Sequence, residues 1–117
     1  MKAVCNSSIL ISLRLIGQLE LLHERFPAGI LIPSAVWREV VEEGQGRHGA
    51  QQVAAASWIE VIDVADSGLV SVLRANLDEG EAEAIVLARE QQADVVLLDE
   101  KDARVMALKL GLSVLGT

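Results

Sequence analysis

The sequence predicts an α/β fold, a compact three-layer sandwich with a five-stranded parallel sheet between two layers of helices. Three observations predict it. Short apolar runs alternate with helix-length amphipathic segments along all 117 residues. The runs are rich in Val, Ile and Leu, as strands covered on both faces must be. Helix-start and helix-stop residues then punctuate the segments between them.

Taken in order, Ala3–Cys5 is the first strand, and Asn6-Ser7-Ser8 is a helix-start signal. The helix it opens runs to about Ile16 and closes at Gly17. Gln18–Phe26 reads as a second helix, with Leu19, Leu22 and Phe26 at helical spacing. Gly29–Ile32 is the second strand; Pro33-Ser34 stops it and starts a helix over Ala35–Glu43. Gly44–Gly49 is a flexible loop that exposes His48, followed by a short helix near Ala50–Ala56. Trp58–Ile62 alternates as the third strand, and Asp66–Asn76 is helical. Leu77-Asp78-Glu79-Gly80 reads as a break before a strong helix over Glu81–Gln92. Val95–Leu98 is the fourth strand, Lys101–Leu110 a helix capped by Gly111, and Ser113–Leu115 the fifth strand. No repeat, low-complexity tract or linker interrupts the pattern, so residues 1–117 are read as one domain.

Composition narrows the chemistry. Half of the chain is hydrophobic (51%) and 23% is charged, which excludes disorder and supplies one core. Its rings are Phe26, Trp37 and Trp58, with no Tyr, too few for stacking successive bases of a single strand. The net charge of −7 opposes nucleic-acid binding unless carboxylates gather around cations. Lys101, Arg104 and Lys109 form the one loose basic group, read as solvated. The single Cys5 excludes an internal disulfide and fits a small buried hydrophobe in a reducing, cytoplasmic setting. No run approaches the ~18–20 apolar residues of a membrane span.

Ligands of an open parallel sheet bind at the carboxyl ends of its strands. Asn6 after the first strand and Asp99 after the fourth occupy that place, and each also reads as a helix N-cap. Glu81 lies in register with Ile85 and Ala88, on the stripe that faces the sheet, where a carboxylate is costly unless paired or coordinated. Glu83 points some 200° away and is the secondary choice. Glu39 sits at the edge of its helix's apolar stripe, three residues after Val36, and Glu42 and Glu43 close that helix. Asp102, one turn past Asp99, is a further secondary candidate. His23 and His48 have neither zinc spacing nor a Cys partner. Phosphate-cradling glycine motifs and a GxSxG elbow are missing.

Four segments carry a family resemblance: Val4-Cys5-Asn6-Ser7-Ser8-Ile9-Leu10-Ile11, Ile32-Pro33-Ser34-Ala35-Val36-Trp37-Arg38-Glu39-Val40, Gly80-Glu81-Ala82-Glu83-Ala84-Ile85 and Val96-Leu97-Leu98-Asp99. Together, in this order, they resemble the PIN-domain nucleases, and look closest to a branch related to the VapC toxins of toxin–antitoxin pairs. The resemblance implies strand order 3-2-1-4-5 and a Mg²⁺- or Mn²⁺-dependent endoribonuclease. It puts the four metal-site positions at Asn6, Glu39, Glu81 and Asp99, with Ser7 or Ser8 as the hydroxyl residue beside the first. An RNA substrate, a small antitoxin partner and a homodimer are the partners it implies. Two departures stand out: relatives usually carry Asp at the position of Asn6, and they tend to continue past Gly116-Thr117 with another helix. Here the Asn6 amide oxygen is expected to help the three acids hold the ion, leaving a weakened nuclease that Asn6→Asp restores with little change in stability. The rival from another class is a catalytically inactive PIN-like binding or regulatory protein. A receiver-type phosphoacceptor is disfavoured because Gly116, not Lys, follows the fifth strand.

Overall fold

The computed structural model describes residues 1–44 and 49–115. The expected exposure of His48, most of the glycine-rich loop, and Gly116-Thr117 lie outside the described residues.

Five strands form one sheet in the order β3-β2-β1-β4-β5: β1 (Ala3–Cys5), β2 (Ile30–Ile32), β3 (Ile59–Val61), β4 (Val95–Leu97) and β5 (Val114–Leu115). All four pairings are parallel, with Ala3 opposite both Ile30 and Val95, and Cys5 opposite Leu97. The expected architecture and strand order are both present.

Strand alternation divides the core in two. Ala3 and Cys5 of β1, Ile30 and Ile32 of β2, and Leu97 of β4 face one layer. That layer comprises α1 (Ser7–Leu15), α2 (Glu20–Arg25), α3 (Ser34–Trp37) and α4 (Ala50–Ala55). Val4, Leu31 and Val96 face the other, made by α5 (Ser67–Leu73), α6 (Glu79–Glu90) and α7 (Lys101–Lys109). Gly29 leads directly into β2 beside the chain entering β3, and its φ of +97° and close approach to the Trp58 carbonyl exclude a side chain.

Three expectations are corrected. The helix expected over Ala35–Glu43 is α-helical only through Trp37 and continues as a π-helical turn over Arg38–Glu42, closed by the Glu43 N–H on the Arg38 carbonyl at 2.8 Å. The spacing of Val36 and Val40, both fully buried, fits either helix type and could not distinguish them. The expected break at Leu77–Gly80 is shorter than predicted: Leu77 and Asp78 lie outside any helix, while Glu79 and Gly80 already belong to α6. Asp78 is its N-cap and forms a capping box with Glu81, so the helix begins two residues early. Finally, Glu100 and not Asp99 is the N-cap of α7, and it makes no side-chain capping bond.

Candidate functional site at the carboxyl edge of the sheet

The chain leaves β1 directly into Asn6. Its side-chain oxygen accepts the Ile9 N–H at 3.4 Å, capping α1. Asn6 is 1% exposed, yet its Nδ2 has no hydrogen-bond partner. On the neighbouring strand, Asp99 follows Leu98. Freed from capping, its Oδ1 is likewise buried and without a partner. Leaving a buried polar atom unpaired costs roughly 1–3 kcal/mol, and such atoms in a native fold call for a functional explanation.

Glu81 comes from α6, buried on the stripe with Ile85 and Ala88 as the spacing predicted. Its carboxylate accepts the Asp78 N–H at 3.1 Å, and its own N–H donates to Asp78 at 2.8 Å. Burial raises the Glu81 pKa above the usual glutamate range; the bond from the Asp78 backbone opposes this, and the charges of Asp78, Glu100 and Asp99 add to it. Asp78 and Glu100 are therefore part of this electrostatic neighbourhood, and neither was singled out from the sequence. The D-x-x-E capping box at 78–81 was the available signal for Asp78; Glu100 has none beyond its place next to Asp99.

Glu39 comes from a third segment, against Ser7 and Gly80. It lies in the first turn of the π-helical segment, a kind of turn frequent at functional sites. Its Oε1 accepts the Ser7 hydroxyl at 2.8 Å. A Cβ on Gly80 would stand 3.4 Å from that Glu39 oxygen, 3.5 Å from Ser7 Oγ and 3.6 Å from an Asp78 oxygen. Gly80 thus floors an oxygen-lined space, and it opens onto a cleft of about 250 Å³ lined by Ala35, Glu39, Asp78 and Glu79.

The remaining candidates lie elsewhere. Glu83 is turned to α3, where it accepts the Ala35 N–H at 3.1 Å. Asp102 is exposed, Ser8 is half-buried and, among the described residues, makes no side-chain bond. Cys5 is fully buried, and burial with the Asp99 charge behind it pushes the thiol far above its ordinary range, so it is inert.

The fit to a divalent cation is uneven. Among the described residues no group of three or more His, Cys, Asp or Glu side chains is arranged to hold an ion. Asp99 and Glu81 do fit one: an orphaned carboxylate oxygen beside a carboxylate whose ionisation its neighbours resist is relieved by a cation between them. Asn6 does not fit. Its oxygen, expected to help hold the ion, is taken up by the Ile9 N–H, and its remaining buried side-chain atom is an NH₂ donor.

No helix among the described residues is long and apolar enough to cross a membrane. None of the curated proteins matches the chain. A PIN-domain family model, DUF3368, matches residues 2–117. PIN domains are typically metal-dependent nucleases, which gives the chain a nuclease-type function in general terms. With the match spanning nearly its whole length, the chain belongs to the PIN-domain family.

Proposed function

We propose that this PIN domain is a Mg²⁺- or Mn²⁺-dependent ribonuclease of reduced activity, with Glu81 and Asp99 as the principal cation ligands and Glu39, in the cleft beside Gly80, as a further carboxylate. The single observation that carries this reading is the buried, unpartnered Asp99 oxygen within the field of Glu81. A hard divalent ion is the partner such oxygens take. When bound, the ion supplies a water activated at neutral pH and charge stabilisation on the reacting phosphate. The chain's own residues do the rest. Ser7 fixes the Glu39 carboxylate by its hydroxyl bond, and the capping box fixes the Glu81 side chain on the rigid first turn of α6. Gly80, without a side chain, leaves the Glu39, Ser7 and Asp78 oxygens uncovered beside the cleft.

The RNA substrate is reached from solvent through the cleft beside Glu39. A toxin role, with a small antitoxin protein as partner in the cytoplasm, is the biological setting we propose. Exposed Val105 and Leu108, one turn apart on α7, and exposed Leu115 on the β5 edge support a homodimer contact. A second reading, a PIN-like binding or regulatory protein without catalysis, is favoured by one specific observation: Asn6 presents a donor where a cation would need an acceptor.

Incubation of a labelled RNA with Mn²⁺ or with EDTA separates the two. Slow, Mn²⁺-dependent cleavage that is lost in Glu81→Gln is expected. Retention of intact RNA at every Mn²⁺ concentration, with RNA still bound, would establish the binding protein instead.

A further inference from the structure

At the carboxyl edge, two buried side-chain atoms without partners are of opposite kind: Asn6 Nδ2 can only donate, and Asp99 Oδ1 accepts. They belong to adjacent strand ends. Cys5 pairs with Leu97, and the Asn6 N–H donates to the Leu97 carbonyl at 3.3 Å, which sets Asn6 alongside Leu98 and one residue from Asp99. The amide cannot simply turn over. Doing so would set NH₂ against the buried Ile9 N–H, leaving two donors face to face and α1 uncapped.

We propose that Asn6 stands in for the cation as a hydrogen-bond donor: its NH₂ and the Asp99 Oδ1 are both unpaired in the structure, a side-chain rotation of half-buried Asp99 lets the one donate to the other in the metal-free protein, and a divalent ion has to compete with that bond. The inference rests on Asp99 being a cation ligand in the function proposed above. Asp at this position would divide its two oxygens, one capping Ile9 and the other facing Asp99. Two buried like charges are stable only with a cation between them. Asn thus does more than omit a charge. It reverses the hydrogen-bonding sense of the one side-chain atom that faces the site, and lets the fold close without metal. The near-isosteric Asn6→Asp exchange, expected from the sequence to leave stability almost unchanged, instead couples stability to the ion.

Thermal unfolding in EDTA and in millimolar Mn²⁺ tests this on the full chain. The unmodified protein should show a Tm that barely responds to Mn²⁺. Asn6→Asp should lower Tm in EDTA by about 5 °C and recover at least that much when Mn²⁺ is added. Asn6→Ser keeps an oxygen cap for Ile9 but has no amide to offer Asp99, so its Tm should also fall in EDTA and respond to Mn²⁺ more than the unmodified chain does. An Asn6→Asp protein as stable in EDTA as the unmodified chain would overturn the proposal. So would an Asn6→Ser protein that gains no Mn²⁺ response; this variant decides alone if Asn6→Asp does not fold. RNA cleavage is measured separately: its absence in the unmodified chain defeats the nuclease reading while leaving the stability comparison intact.

Discussion

The two ends of the same parallel sheet treat their polar groups in opposite ways. At the amino end, Lys2 is tied down twice: its N–H donates to the Asp94 carboxylate and its Nζ to the Gln91 carbonyl at 3.0 Å. The Asp94 N–H returns a bond to the Lys2 carbonyl at 2.7 Å, and nearby His23 stacks on Trp58 with ring centroids 4.7 Å apart. At the carboxyl end, one residue beyond β1 and two beyond β4, Asn6 and Asp99 keep unpaired atoms in the interior and Glu81 is held buried among like charges. The backbone ladder is common to both ends, so the difference lies in the side chains. One end is built for closure; the other carries an electrostatic cost that a bound cation or substrate would relieve.

The comparison breaks most sharply at Glu81. Glu81→Gln keeps an acceptor for the Asp78 N–H, and so keeps the capping box, but removes the charge. Made in the Asn6→Asp background, where Mn²⁺ is expected to bind more tightly, it should lower the calorimetric affinity for Mn²⁺ at least about tenfold, the equivalent of about 1.4 kcal/mol, and RNA cleavage with it. Unchanged affinity would take Glu81 out of the site.

A smaller effect is expected at Gly80. Alanine there would lie in ordinary contact with Glu39 and Ser7, and it gains up to about 0.5–1 kcal/mol of helix propensity. Tm should stay level or rise slightly while cleavage drops several-fold, because the added methyl fills the oxygen-lined space. If activity survives Gly80→Ala, the space is not where the substrate sits.

The pH dependence of the metal-free protein tests the same contrast without any ligand. The folded-state pKa of Glu81 is raised, so the native state holds its proton above the unfolded glutamate value of about 4.3. Stability from this group is therefore fully present below that pH and is lost as pH rises through the folded pKa. A falling Tm over that window in EDTA, flattened in Glu81→Gln, is the expected result; identical slopes would mean that other groups dominate.

The smallest effect belongs to the amino end. His23→Ala removes the stack on Trp58 and should cost about 0.5–1 kcal/mol of stability with no change in cleavage rate. A loss of activity there would erase the division between the ends.

Much of this molecule was decided locally and was therefore legible. The five apolar runs, the caps at Asn6 and Gly111 and the burial of Glu81 with Ile85 and Ala88 follow from periodicities of two and 3.6, which sequence displays directly. The family resemblance added the strand order, which crossover connections leave open. What the sequence could not determine depends on hydrogen-bond choices among atoms distant in the chain. The π-helical turn at Arg38–Glu42 has the same apolar spacing as an α-helix, so only its bonding distinguishes it. Asp99 and Glu100 are both plausible caps of α7, and the fold chose Glu100, leaving the Asp99 oxygen without a partner. Asn6 could offer oxygen or NH₂ to the site; the fold spent the oxygen on Ile9, because an uncapped, buried helix start is the worse alternative. The sequence by itself placed Asn6 and Asp99 just past strand ends and Glu81 on a buried helix stripe, since strand and helix periods display these positions directly. Only the tertiary structure decided which atom each would present, since a polar atom's partner is settled by every neighbour competing for it.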